Sequence, residues 1–307
     1  MMKFSYILSL LALPAMLFTA AASESLNPLE KFDQFVSQRR NIKKAEKQVS
    51  EGNFKEAAKS FKKAAVEQVT PEKTAEYYLR EAESYLMAKK SSKAKEAYTN
   101  LLEKHLFYIP LDRVLEQMRE LADDFENGRG TFLGFDDPGA AIQIYEMIIK
   151  YQPSVEESIE DRMVLAGKLA AYGSQAEAVN TYQEIIKMVP RDPNPRFNLG
   201  KLLFTLIRTG DGDGQRSQAS VRELKTFLEL APAGDPRRAE AESLIYQARC
   251  KEAERLMERA EFYLNKHHYR PAVARRYLHD VQREFHDTPS AAKAKETLIL
   301  KLNEDGE

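Results

Sequence analysis

GSQAEAVNTYQEIIKMVP, residues 173–190, decides the fold of this chain. Gly173 closes one segment and opens another. After it, Ala178, Val179, Tyr182, Ile185 and Ile186 recur at steps of three and four, which places them on one stripe of a helix. Pro190 ends that helix, because proline lacks an amide donor and disfavours helical backbone in the residue before it. The stretch GNFKEAAKSFKKA (52–64) repeats the pattern: a glycine, an alanine at 57, and an aromatic four residues on at 61. A small residue lets two helices approach at their crossing, and the aromatic fills the space beside it.

The same pattern runs through most of the chain. Phe61, Tyr98, Tyr145, Tyr182, Phe227 and Tyr277 are separated by 37, 47, 37, 45 and 50 residues. Ala57, Ala94, Ala141 and Ala178 stand four residues before the first four of these aromatics. Pro71, Pro110, Pro153, Pro190 and Pro232 each follow one of the first five by a helix length. The spacing predicts helix pairs at 38–51 and 54–69, 72–88 and 92–105, 111–126 and 138–151, 155–171 and 175–188, and 194–208 and 216–230. A long helix at 236–266 and two more at 270–285 and 290–302 complete the set. No segment sustains a period of two, so no sheet is expected.

Glycine or a substitute at the turn, alanine then aromatic in the second helix, and a closing proline together resemble the tetratricopeptide repeat. Its ordinary period is about 34 residues, so the units here are longer. The resemblance implies an all-α, right-handed solenoid of about six helix–turn–helix repeats with a C-terminal capping helix.

Composition agrees with a folded, helix-prone chain. The 307 residues hold 46 Lys+Arg against 47 Asp+Glu, so net charge gives no global attraction to nucleic acid. One cysteine, Cys250, excludes an internal disulfide framework and a multi-cysteine metal site. Residues 1–22 have the form of a cleaved signal peptide. Lys3 precedes an apolar stretch from Ile7 to Phe18 that is broken only by Ser9 and Pro14, and Ala20 and Ala22 offer the small residues of a cleavage site. The apolar run is too short for a stable membrane span. Export without disulfides points to a bacterial periplasm. The expected organisation is a signal peptide at 1–22, a linker at 23–36, degenerate repeats at 37–234, the last repeats and cap at 235–303, and a tail at 304–307.

AEFYLNKHHYRPAVARRYLHDVQREFHDTPSAAKAKE (260–296) resembles the last repeat of the BamD family, lipoproteins of the outer-membrane β-barrel assembly machinery. Ala260-Glu261-Phe262-Tyr263 matches that family's paired-aromatic helix end, and Asp287-Thr288-Pro289 matches its exit from the next helix. Arg249 and Glu252 sit in the right register upstream, and the likeness extends over 224–302. It implies a periplasmic adaptor that docks on a barrel-insertion protein and handles outer-membrane protein precursors, with no catalysis and no cofactor. One departure is plain: the family's lipidated cysteine after the signal has no counterpart, so attachment at the outer membrane is expected through partners. Two other readings stand beside this one. The first is a general periplasmic repeat adaptor of a cell-envelope or cell-wall complex. The second, of a different class, is an enzyme-associated hydrolytic protein.

Several residue groups carry candidate chemistry. On the helix at 270–285, Val273, Tyr277, Val281 and Phe285 form an expected core stripe. Arg276, His279, Arg283 and His286 form a basic line beside it. Such a line is either solvated helix surface or a docking face for an acidic patch, which arginine suits through bidentate contacts. The late histidines, His267, His268, His279 and His286, lack the spacing and co-ligands of a tetrahedral metal site, so no metal is expected. Asp211-Gly212-Asp213-Gly214 fails as a calcium loop, since the twelfth position falls on Arg222 or Ser220, and reads as a turn. The insertion NGRGTFLGFDDP (127–138) holds Phe132, Leu133 and Phe135, which either fold onto the core or form a patch for a partner. Tyr77 and Tyr78 are either core or groove lining, and Cys250 is expected to be a small buried hydrophobe. Carboxylate pairs such as Glu116/Glu120 and Glu156/Glu160 follow helical charge patterning, and no catalytic triad has a local signature.

Overall fold

The computed structural model describes residues 28–207 and 214–302. The segment with Ala20 and Ala22, the first three residues of the Asp211–Gly214 loop and the tail at 304–307 lie outside the described residues. Among those described there are thirteen α-helices, two short 3-10 turns and no strand. The helices are α1 (Pro28–Ser50), α2 (Phe54–Val66), α3 (Pro71–Met87), α4 (Ser91–His105), α5 (Leu111–Glu126), α6 (Pro138–Tyr151) and α7 (Val155–Ala171). There follow α8 (Gln175–Met188), α9 (Pro193–Thr205), α10 (Gly214–Leu230), α11 (Arg238–Leu264), α12 (Pro271–Glu284) and α13 (Pro289–Leu302).

The chain divides into two compact units, Met1–Ile144 and Tyr145–Glu307. In the first, α1 packs on α2, α2 on α3, α3 on α4, and α4 on α5. In the second, contacts run in series from α7 to α13, and α9 and α11 also touch. Contact between neighbours in sequence is how helical repeats bury stripes that no single pair could cover.

Local chemistry sets the helix ends. Thr70 caps α3 by accepting from the Lys73 amide at 3.4 Å, with Pro71 in the first turn, where its missing donor costs nothing. Asp192 does the same for α9, accepting from the Asn194 amide at 2.9 Å. Gly52 and Gly173 turn the chain in the left-handed region, at φ +75° and +98°. Between α3 and α4 the left-handed residue is Lys89, φ +48°, whose ammonium lies 2.9 Å from the fully buried Asp124 carboxylate.

The repeat positions are core. Ala57, Ala94, Ala141 and Ala178 are all 0% exposed, so none can be enlarged without moving a neighbour. Phe61, Tyr98, Tyr182 and Phe227 are buried, while Tyr145 and Tyr277 are half-buried. The fifth pair departs from the pattern, because Glu223, not alanine, stands four residues before Phe227. It is buried and paired with Arg196 at 2.9 Å. The small crossing residue moves to the first helix instead, where Gly200 lies against Leu224.

Two expectations are corrected. The linker drawn at 23–36 is helical from Pro28 onward, because a proline tolerated at the first helical position opens α1 there. On α12 the buried line is Ala274, Leu278 and Val281, and Val273, Tyr277 and Phe285 are half-buried at its edge. Leu278 and Val281 pack in a core with Ala253, Met257 and Ala260 of α11 and Ala294 and Leu302 of α13.

Candidate protein-docking site

A groove of about 760 Å³ lies in the first unit, walled by α2 and α4 and floored by α3. Tyr78, Glu81 and Tyr85 line the floor at steps of three and four, hence on one face of α3. Tyr78 is half-buried and stacks on His105, with ring centroids 5.2 Å apart. Burial pushes the Tyr78 phenol up and the His105 imidazole down from their ordinary ranges. Tyr85 is buried beneath the Lys93 ammonium, 5.6 Å from its ring centre.

Glu81 is the unusual group. It is 3% exposed, yet its ion-pair partner among the described residues is Lys62, at 3.4 Å, whose side chain is 56% exposed. Burial drives the Glu81 carboxyl above the usual carboxylate range, with Lys62 opposing. The same carboxylate raises the Lys62 ammonium. Burial thus disfavours the charged form of Glu81, and the attraction of Lys62 offsets that only in part.

A second, more apolar depression of about 440 Å³ is lined by Val49, Phe54, Phe61 and Met87 from α1, α2 and α3. The Arg80–Glu46 pair at 3.3 Å frames it. Tyr77 belongs to the core rather than to a binding face, which corrects the partner role considered for it. It is 8% exposed and stacks on Phe61 at 6.2 Å, with Arg80 over both rings. Adjacent helical residues point about 100° apart, so only Tyr78 of this pair reaches the groove.

The 127–138 insertion is braced against the turn between α3 and α4. Ser91 Oγ donates to the Arg129 carbonyl at 2.6 Å. Gly130 approaches so closely that a Cβ there would lie 2.1 Å from the Lys89 carbonyl oxygen. Arg129 pairs with Asp123 and Asp124, and Thr131 bonds back to Gly128 and Phe135. On this brace Leu133 and Phe135 stand exposed, so these two do not fold onto the core. The side chain of Phe132 lies outside the described residues.

In the second unit, Arg276, His279 and Arg283 are exposed along α12, and His286, expected on the same helix, is exposed in the turn after it. The line is less basic than its residue types suggest, since Arg283 donates to Asp280 at 2.9 Å and Glu284 at 2.8 Å. Arg249 pairs with Asp287 and donates to the Glu284 carbonyl at 2.9 Å, tying α11 to the exit of α12 and holding the Asp287 carboxyl below its usual range. Cys250 is half-buried, a correction to its expected burial. Among the described residues no cluster of three or more His, Cys, Asp or Glu is placed to hold a metal, and no helix is long and apolar enough to cross a membrane.

The sequence left Tyr77 and Tyr78 together as core or groove lining and did not single out Glu81. The available clue was YYLREAESY (77–85), where one carboxylate sits three residues after one tyrosine and four before another.

No protein-family model matches the chain, and no curated protein matches it. Among solved structures, it is similar to YrrB, a tetratricopeptide-repeat protein with an unusual peptide-binding site, at 15% identity over 74% of this chain and 98% of that one, TM-score 0.36. It is similar to PilW, a type IV pilus biogenesis factor, at 13% identity over 83% and 97%, TM-score 0.30. It is also similar to the TPR2AB domain of yeast Sti1, whose structure is a complex with HSP90, at 13% identity over 84% and 96%, TM-score 0.27. At these identities and overlaps the likeness carries no function across.

Proposed function

We propose that this chain is an exported, non-catalytic helical-repeat adaptor that binds protein partners in the cell envelope. The groove of the first unit carries the reading. It is large enough for a few residues of extended polypeptide, it is open along α4, and its floor combines aromatic faces with a buried charge. Its wall is mostly polar and charged, with Lys93, Lys95, Glu96, Asn100, Glu103 and Lys104, so recognition there would rest on polar contacts over an aromatic floor.

The finer assignment is BamD-like. In this reading the groove takes precursor segments of outer-membrane proteins, and the C-terminal hairpins hold a barrel-insertion protein. Its support is the resemblance over 224–302 and the exposed Arg276 and His279 of α12, which would face an acidic patch. Arg283 contributes less, being paired with its own neighbours. Affinity purification of the tagged chain from envelope extract tests this. Co-purification of a barrel-insertion protein, lost when Arg276 and Arg283 are reversed to glutamate, is the expected result. Recovery of peptidoglycan-synthesis or division proteins alone would move the chain to the general envelope-adaptor reading.

A further inference from the structure

We propose that Glu81, set between Tyr78 and Tyr85 on the groove floor, is the seat for an arginine side chain of the bound polypeptide segment. This rests on the groove being a binding site and names the chemistry that it selects.

Three observations meet at this point. The first is the carboxylate itself. It is almost fully withdrawn from water, and its ion-pair partner stands at 3.4 Å, longer than the roughly 2.7–2.9 Å of a well-made charged hydrogen bond. A buried carboxylate offers about four acceptor positions, and one loose ammonium leaves most of that capacity unused. The second is the flanking pair of rings. Tyr78 and Tyr85 lie one helical turn before and after Glu81 on the same floor, and a guanidinium is the side-chain group that both stacks on tyrosine and bonds a carboxylate through a fork. The third is what already occupies the floor. Lys62 reaches Glu81 and Lys93 sits over Tyr85, so both halves of the seat are filled by tethered cations from the chain's own walls.

Lys62 and Lys93 therefore act as placeholders. Both lysines are exposed, Lys62 over 56% of its side chain, and can swing out as a ligand cation enters. On the α4 wall Glu96 and Glu103 alternate with Lys93, Lys95 and Lys104, so the rim itself carries mixed charge and Glu81 supplies the negative charge of the floor. An acidic segment could use the rim lysines, but its side chain would meet Glu81 at the floor; an arginine gains the floor and loses only a flexible competitor.

The test uses the full-length chain and pools of fluorescent octapeptides, randomised except at the fourth position. That position is arginine, citrulline (the same shape without charge) or glutamate. Fluorescence polarisation is read for the wild type, Lys62→Ala, Glu81→Gln and Tyr78→Ala. The arginine pool is expected to bind about tenfold tighter than the citrulline pool, because a charge-assisted fork replaces a neutral contact. Lys62→Ala, at an exposed position, should tighten the arginine pool further by removing the tethered competitor. Glu81→Gln should erase the preference while the helical circular-dichroism melt is retained. Equal binding of the arginine and citrulline pools, or a preference for glutamate that Lys62→Ala weakens, overturns the assignment and leaves the groove as a site of other specificity. If no pool binds in a way that Tyr78→Ala reduces, the groove reading falls together with it.

Discussion

Gly200→Ala sets two well-known effects against each other. In the interior of α9, alanine is favoured over glycine by about 1 kcal/mol of helix propensity. The packing opposes this. A Cβ at position 200 would lie 2.6 Å from Leu224 Cγ, 2.9 Å from its Cδ2 and 3.2 Å from its backbone nitrogen. Leu224 cannot retreat easily, since it is fully buried in a cluster with Phe197 and Phe227. Overpacking of this kind costs about 1–3 kcal/mol. The Gly200 carbonyl also accepts from the buried Ser220 hydroxyl at 2.7 Å, and displacement of α9 that lengthens this bond adds about 1 kcal/mol. The expected net is a destabilisation of about 1–3 kcal/mol, once the propensity gain is subtracted. Urea unfolding followed by circular dichroism would measure it. The double variant with Leu224→Ala should cost less than the sum of the two singles by about 1 kcal/mol or more, because removing the leucine removes the clash. A Gly200→Ala chain more stable than wild type, with additive energies in the double variant, would refute a close crossing of α9 and α10.

The same reasoning extends to other positions. Gly52→Ala meets only left-handed strain and should cost about 1 kcal/mol, whereas Gly130→Ala adds a backbone collision with Lys89 and should cost about twice that or more, read as a shift in urea midpoint. Tyr77→Ala should cost about 3 kcal/mol as a core deletion, and Tyr78→Ala distinctly less while it weakens groove binding, both measurable by melting and polarisation. The hydrogen bond from Arg237 holds the Asp235 carboxyl down from 3.8 to about 2. A lowered folded value means that its stabilisation is complete above the unfolded value and is lost as pH falls toward about 2. Asp235→Asn should therefore lower the melting temperature modestly at neutral pH and converge with the wild type as pH falls toward about 2, which flattens the acid limb.

Helix placement was legible because proline, glycine and the apolar steps are local signals. The bounds of α5, α6, α7 and α8 fall where the spacing puts them. The fully buried alanines before the aromatics were legible for the same reason. Where residues distant in sequence decide the outcome, the reading was incomplete. The Gly200–Leu224 crossing replaces an alanine in the fifth pair, and nothing local to Glu223 announces that it will be buried against Arg196. Lys89 takes a left-handed turn that glycine usually takes, held by Asp124 from α5. The basic line of α12 was visible as a row of residue types, but its charge depends on Asp280 and Glu284, which sit beside Arg283. Tyr77 and Tyr78 separated only once the floor of the groove was known. Glu81 became a candidate because α2 brings Lys62 to it across a helix boundary, and period counting within α3 does not show that.

The central claim is that the groove over Tyr78, Glu81 and Tyr85 grips a polypeptide segment of a partner. Benzoylphenylalanine placed at Glu103, an exposed residue of the α4 wall, tests it in the living cell by photo-crosslinking, with the exposed Leu300 of α13 as the control position. The account predicts a defined protein adduct from position 103, absent from position 300, that Glu81→Lys abolishes. No adduct at 103, or the same adducts from both positions regardless of the residue at 81, would contradict it.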